Sequence, residues 1–369
     1  MLPRAAYVDE TVLSWERRHF FGGSWLCVGR SEDMADAGDQ RAVSSGAGGI
    51  LLVRGADGGL RAFANACRHR GHELLAADEN RRRPVILCPY HSWSYGLDGR
   101  LRAAPGFDSL DAFDPAEHSL VSLPTAEWHG LVFVDASARA GSFAAHVRGL
   151  EDLVAPYEMQ HLRTAVRHDY VVAANWKILS ENYQECYHCR TIHPQLCRVS
   201  PPDSGENYRP EGSGAWVGGW MALGDDAETM SLDGRSKGSV LPGLDARGRR
   251  EVIYVVVFPN VLLSLHPDYV MTHILTPVAV DRTRVQCGWS FSPEDLGRSG
   301  FDPSYAVDFW DITNRQDWAA CESVQRGLAS PHHVPGPLSR RENGVYYYVT
   351  MVARGYRGLP LAAPASVVG

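Results

Sequence analysis

The spacing of apolar positions changes character near residue 140. Upstream, short apolar or alternating runs are broken every few residues by Gly- and Asp-containing turns, which is the pattern of strands. Ile50-Leu51-Leu52-Val53, the turn Ala-Asp-Gly-Gly at 56–59 and Leu60-Arg61-Ala62-Phe63 predict a hairpin. Val85-Ile86-Leu87 predicts a buried strand, Ser92-Trp93-Ser94-Tyr95 a strand leaving the next loop, and Leu97-Asp98-Gly99-Arg100 a tight turn. Leu131-Val132-Phe133-Val134 closes the region, so an all-β domain is expected over 41–138. The stretch before it, 1–40, has helical spacing over 9–21, with Val12, Trp15, His19 and Phe20 on one side and Asp9 as N-cap. It is expected to pack on the later domain.

Downstream the periods mix, and an α+β domain is expected over 139–369. Residues 141–157 read as a linker and short helix, 168–172 as a strand and 175–189 as a helix. Residues 201–250 are rich in Gly, Ser and Asp with little periodicity, which predicts a long loop able to act as a lid. Strands follow at 252–258, 261–265, 269–275 and 284–291, then a long helix over 303–328 and a last one over 345–354.

Two Cys-His arms fall inside the β domain: Cys67-Arg-His69 and, after 18 intervening residues, Cys88-Pro-Tyr-His91. Two thiolates on one iron and two imidazoles on the other are the ligand set of a Rieske [2Fe–2S] cluster, whose imidazoles raise the reduction potential. A Cys2His2 zinc site is the bland alternative. Zinc sites, however, favour a Cys-x-x-Cys knuckle with a separate His arm, whereas here each arm mixes one Cys with one His. The hydroxyls of Ser92 and Tyr95 are available to donate hydrogen bonds that tune the potential, though the sequence does not place them.

Composition narrows the remaining classes. At 369 residues with 44% hydrophobic and 21% charged residues the chain reads as an ordinary soluble protein of two domains. A formal charge of −7, with Arg81-Arg82-Arg83 as its one basic run, argues against a nucleic-acid partner. No apolar run reaches the length of a membrane span, and the N-terminal residues lack the apolar core of a signal peptide. Eight cysteines, two of them in the Cys-His arms, show no disulfide-like spacing, and a cytoplasmic location is expected.

A second constellation lies in Asn175-Trp-Lys-Ile-Leu-Ser-Glu-Asn-Tyr-Gln-Glu185-Cys-Tyr-His188-Cys-Arg-Thr-Ile-His193-Pro. His188 and His193 are five residues apart, and two imidazoles with one carboxylate form the facial triad of a non-haem Fe(II) oxygenase. A pair of histidines at this spacing is more often structural, but an upstream electron carrier needs an acceptor. A zinc knuckle from Cys186, Cys189, His188 and Cys197 competes, though two of its thiols fall within the predicted helix, where they are expected to pack as small apolar groups.

Over essentially its whole length the chain resembles the α subunits of Rieske non-haem iron oxygenases. The order matches: a cluster domain, then E/D-x2-H-x4-H, then a carboxylate on a late helix. The resemblance implies an N-terminal all-β Rieske [2Fe–2S] domain and a C-terminal helix-grip catalytic domain, an antiparallel sheet with helices. It implies Cys67, His69, Cys88 and His91 as cluster ligands, and His188, His193 and Asp317 as ligands of a mononuclear Fe(II). Asp317 precedes by five residues the Glu of Glu322-Ser-Val-Gln325; by sequence alone Asp308, Asp311 and Glu322 compete with it. Glu185 would lie between the two metal centres, linking His188 to His69 or His91 of a neighbouring subunit in a homotrimer. A separate NAD(P)H-dependent flavin/iron–sulfur reductase would supply electrons, since no Gly-rich dinucleotide fingerprint follows a strand here.

Glu185 within E-N-Y-x-E-C-Y-H-C, the C-E-x-V-Q-x-G element and Pro-Gly-Pro-Leu at 335–338 resemble the branch acting on quaternary ammonium compounds: glycine betaine, choline, carnitine and proline betaine. Hydroxylation or N-demethylation of such a compound is the expectation. Aromatic-ring or aryl-methyl oxidation is the alternative, and an electron-transfer protein without catalysis a further one. A trimethylammonium group seeks aromatic faces, and Tyr183, Tyr187, Tyr254, Tyr269, Trp289, Phe291 and Trp310 are available. A betaine's carboxylate would also need a cation or polar donor, which the sequence does not single out.

Overall fold

The computed structural model describes residues 1–46, 48–107 and 112–362. Its contacts divide the chain into two units, 15–141 and a second one formed by 1–14 with 142–369. The boundary thus lies earlier than the expected residue 41. The cause is Trp25–Arg30 (β1), a strand that pairs with Leu131–Asp135 (β11) and so belongs to the β unit.

The β unit consists of short antiparallel strands. Asp39–Ser45 (β2), Gly48–Arg54 (β3) and Leu60–Ala64 (β4) form the centre of one sheet, edged by Asn80–Arg82 (β5) and Ser122–Leu123. The hairpin expected at 50–63 is β3–β4, with Ile50 opposite Ala64 and Arg54 opposite Leu60. Ile86–Leu87 (β6), Ser94–Tyr95 (β7) and Leu101–Ala103 (β8) form a smaller sheet. Leu51, Phe63, Ile86, Trp93 and Tyr95 are buried together with the thiols of Cys67 and Cys88, so the sulfur atoms belong to the core of this unit.

The second unit is built on a seven-stranded antiparallel sheet. Its members are Arg163–Val172 (β12), Glu206–Asn207 (β13), Trp216–Ala222 (β14), Glu251–Val257 (β15), Val261–Leu265 (β16), Val270–Ala279 (β17) and Arg282–Phe291 (β18). Their order is β12-β18-β17-β16-β15-β14-β13. The expected loop at 201–250 therefore contains strands. Gly218 and Gly219 interrupt the alternation that would announce β14, and they are required there: a Cβ on Gly219 would come within 2.5 Å of the Glu206 carbonyl oxygen. Nor is the rest of that segment a free lid. The buried Asp268 carboxylate accepts from Thr229 Oγ1 and Tyr305 OH, each at 2.6 Å, and Asp295 accepts from the Ser239 amide at 2.7 Å.

Helices Trp176–Asn182 (α1), the 26-residue Ser304–Ala329 (α3) and Asn343–Tyr356 (α4) pack on this sheet, and the short Cys189–Ile192 (α2) follows α1. Asn175 caps α1, its side chain accepting from the Lys177 amide. The expected single helix over 175–189 is broken at Asn182. There α4 approaches so closely that a Cβ on Gly344 would lie 2.3 Å from the Gln184 carbonyl oxygen. The first residues of the chain are tied to this unit: Arg4 Nε donates to Leu328 O at 2.7 Å, and Tyr7 OH to Glu181 Oε1 at 2.7 Å. Among the described residues no helix is long and apolar enough to cross a membrane.

Candidate active site and cluster site

The break after α1 shapes the first site. The chain turns through Glu185, whose Oε2 accepts from the amides of Tyr187 and, at 3.2 Å, His188. His188 then sits at the N-cap of the four-residue α2 and His193 at its C-cap, so the two imidazoles flank a single turn. From the other side, α3 presents Trp310, Thr313 and Asp317 on one face, at helical intervals of three and four.

Three atoms converge. His188 Nε2 and His193 Nε2 lie 3.2 Å apart, and Asp317 Oδ1 is 2.9 Å from His193 Nε2 and 3.3 Å from His188 Nε2. One face of an octahedron with metal–ligand bonds of about 2.1 Å has edges of about 3 Å, so the three donors fit a single metal ion. Each imidazole is held from behind: His188 Nδ1 bonds Glu185 Oε1 at 2.5 Å, and His193 Nδ1 bonds Gln316 Oε1 at 2.8 Å. Protons kept on Nδ1 leave both Nε2 lone pairs directed inward.

The electrostatics point the same way. Burial acts against charge on His188, but the Asp317 and Glu185 carboxylates outweigh it and hold its pKa up at about 10. Burial would raise Asp317, yet His188 and His193 bring it down to about 2. The site is thus built to hold positive charge. Behind it, burial keeps His273 neutral, its pKa lowered to about 4.

The competing carboxylates have other work. Asp311 accepts from Tyr170 OH and Arg315 Nε, each at 2.7 Å, Glu322 accepts from the Ala173 amide at 3.1 Å, and Asp308 is exposed. The knuckle cysteines depart from expectation. Cys186 and Cys189 form a disulfide rather than packing as separate thiols, because the turn after Asn182 brings them together.

The triad opens into a cavity of about 740 Å³. Of the aromatic candidates, Tyr183, Tyr187, Tyr254 and Trp310 line it; Tyr269, Trp289 and Phe291 do not, being fully buried in the core. Trp220 of β14 and Tyr347 of α4 also line it and were missed by the sequence reading, Trp220 because its strand was read as loop. Tyr254 faces Tyr183 and Trp310 at ring-centroid separations of 5.9 and 6.3 Å, both steeply inclined. It has room because its cross-strand neighbours are Gly219 and Ser264.

The β unit assembles a second donor set. Loops after β4 and β6 bring Cys67 and Cys88 inside at 3% and 2% exposure, while His69 and His91 are half-buried with rings 4.7 Å apart. The Cys88 amide donates to Trp93 O at 2.8 Å, and the Cys67 amide to His72 O at 2.8 Å, closing both loops. Tyr95 OH lies 3.2 Å from Cys67 Sγ, in reach to donate to a thiolate there, whereas Ser92 is exposed. His91 Nδ1 is buried without a protein partner, as a ligating nitrogen would be. Burial and then the positive charge at His69, Arg70 and His72 lower the His91 pKa, favouring the neutral imidazole. Two inner thiols and two outer imidazoles fit the ligand set of a [2Fe–2S] cluster, which Cys67, Cys88, His69 and His91 would hold.

A thiol–imidazole cluster cradle in one unit and a two-His, one-carboxylate face in the other define the class: iron enzymes that activate O₂ with electrons delivered through an iron–sulfur centre. Residues 24–114 match the Rieske [2Fe-2S] domain, and residues 159–358 match the ring hydroxylating alpha subunit (catalytic domain). The chain is 30% identical to the glycine betaine monooxygenase oxygenase subunit of Chromohalobacter salexigens, over 96% of this chain and 86% of that one. It is 38% identical to the carnitine monooxygenase oxygenase subunit of Escherichia coli (strain K12), over 89% and 84%. The crystal structure of a quaternary ammonium Rieske monooxygenase, CntA, superposes with a TM-score of 0.79 at 26% identity, covering 96% of this chain and 94% of that one. The chain belongs to the Rieske non-haem iron oxygenases, as an α subunit with a [2Fe–2S] domain and a mononuclear iron domain.

Proposed function

We propose that this chain is the oxygenase component of a cytoplasmic Rieske system that hydroxylates or N-demethylates a small quaternary ammonium compound such as glycine betaine. A separate NAD(P)H-dependent flavin/iron–sulfur reductase supplies its electrons, and it works as a homotrimer. The observation that carries the substrate class is the set of inclined rings of Tyr183, Tyr254 and Trp310 in the same cavity as the triad. Each ring face contributes ~0.5–2 kcal/mol to holding a trimethylammonium group. An aromatic-ring substrate would call for an apolar cavity, whereas Gln184, Asn207 and Arg209 line this one.

In this reading Cys67, His69, Cys88 and His91 hold the cluster, and His188, His193 and Asp317 hold the iron, which when bound supplies O₂ activation. Gln316 and Glu185 bond Nδ1 of the two imidazoles, so Nε2 is the atom each ring would offer to the metal, which would take the place of a proton there. Glu185, itself pinned by the Tyr187 and His188 amides, also stands as the hydrogen-bonded link from His188 to His69 or His91 of the partner subunit. The rings orient the substrate's methyl groups and exclude water from the inner end of the cavity.

The test is product analysis by mass spectrometry. Iron-loaded protein, a surrogate reductase and NADH under O₂ are given glycine betaine, proline betaine, L-carnitine and choline. A demethylated or hydroxylated product with matched O₂ uptake is expected from at least one. Four blanks from protein of confirmed cluster and iron content would overturn the substrate class and leave the oxygenase class standing.

A further inference from the structure

The two ends of the cavity are lined differently. Its inner end, beside His193 and the buried Trp310, is walled by neutral rings around the triad. At its rim Arg209, Arg340 and Arg341, exposed and drawn from two separate segments of the chain, line the same cavity beside the exposed carboxylates of Asp203 and Glu206. Arg341 pairs with Asp203 at 3.2 Å, a carboxylate it shares with Arg190. Among the described residues, Arg209 and Arg340 have no carboxylate within ion-pair distance. Two guanidinium groups are therefore left facing the mouth of a cavity whose inner surface suits a cation.

A second observation concerns the cavity's buried polar groups. Gln184 is 4% exposed and lines the cavity, yet neither atom of its amide has a hydrogen-bond partner in the protein. The hydroxyl of Tyr254 is in the same condition. Buried polar groups are almost always satisfied, and those left open in a ligand cavity are explained by a ligand that bonds them.

Building on the quaternary ammonium reading, we infer that the cavity selects zwitterions. The ammonium lies among Tyr183, Tyr254 and Trp310, the carboxylate reaches outward to Arg209 and Arg340, and Gln184 bonds the polar group between them. Arg209 and Arg340 are then specificity-determining residues. They attract a carboxylate-bearing betaine by charge-assisted hydrogen bonds and repel a plain monocation of the choline type.

The experiment compares wild-type holoenzyme with the Arg209→Gln/Arg340→Gln double variant, using glycine betaine, L-carnitine and choline as substrates. Both substitutions are at exposed positions, and the cluster's visible spectrum checks that the variant is intact. The expected result is a KM for the carboxylated substrates raised roughly 10- to 100-fold, with kcat moved far less, while the KM for choline falls. In wild type, added NaCl should raise the betaine KM and not the choline KM. Unchanged betaine KM values in the variant overturn the inference, as does a parallel rise for choline, which would assign the arginines to subunit contact or to general structure. Wild-type enzyme that oxidises choline as efficiently as the betaines keeps the quaternary ammonium reading and overturns this one. Wild-type enzyme that oxidises none of the three, nor proline betaine, overturns both.

Discussion

The two candidate metal sites of this chain are assembled in opposite ways. The cluster ligands lie within one short window, on loops after β4 and β6, and the strands around them place both pairs. The triad takes two residues from the flanks of a single helical turn and its third from 124 residues further along, on a helix that reaches the site only because the whole catalytic unit has folded. A local site tolerates change elsewhere in the chain, whereas a site closed by a distant helix depends on packing. The two cysteines of the cluster site are also recessed among apolar side chains, while the triad opens into a large cavity.

The strongest way to break the comparison is to remove one ligand from each site. Asp317→Ala should abolish turnover and mononuclear iron binding while the cluster's visible spectrum persists. Metal analysis with product assay checks this, and full activity in that variant would sink the assignment of Asp317. Cys88→Ser should do the reverse for the spectrum, removing the cluster bands. It should also end turnover, since electrons then have no entry. If iron binding at the triad were lost as well, the two sites would not be independent in assembly.

A smaller effect sharpens the picture. Gln316→Leu leaves all three ligands in place but removes the acceptor of the His193 Nδ1 proton, 2.8 Å away. Loss of such a supporting bond typically weakens metal affinity 10- to 100-fold, so iron should be retained at high concentration and lost on dialysis, with the cluster untouched. Equal iron retention in wild type and variant would show that the packing of α2 alone orients the ring.

The same contrast governs what the sequence could reveal. The Cys-His arms were legible because their ligands, turns and flanking strands are neighbours in the chain. His188 and His193 were visible as a pair, but their geometry was not: a continuous helix over 175–189 was expected, whereas the helix ends at Asn182, where Gly344 of α4, 160 residues beyond Gln184, comes against the chain. Asp317 could be chosen only through family resemblance. A signal did exist, because Trp310, Thr313, Asp317 and Cys321 share one face of α3, and a carboxylate on an otherwise inward face asks for a partner. Gln316 gave no such signal. Among the aromatic residues, sequence could not separate those lining the cavity from those filling the core, because strand pairing decides it: Tyr254 stands between Gly219 and Ser264.

The smallest effect concerns the cluster alone. Tyr95 is fully buried, and its hydroxyl lies 3.2 Å from Cys67 Sγ while accepting from the Arg68 amide at 3.1 Å. With the cluster bound, Cys67 is a thiolate and the phenol can only donate to it. That bond strengthens as the cluster gains negative charge, so it favours the reduced state and raises the potential. The potential moves by the difference in this bond's strength between the two redox states; a difference of about 0.5–1.5 kcal/mol corresponds, for one electron, to roughly 20–60 mV. Tyr95→Phe keeps the ring that fills the core and should lower the midpoint potential by that amount, read by spectroscopic titration, with mononuclear iron content unchanged. Ser92→Ala, at an exposed position, should move the potential much less. A larger shift from Ser92 than from Tyr95 would mean that the surface loop after His91, rather than the buried strand β7, sets the potential.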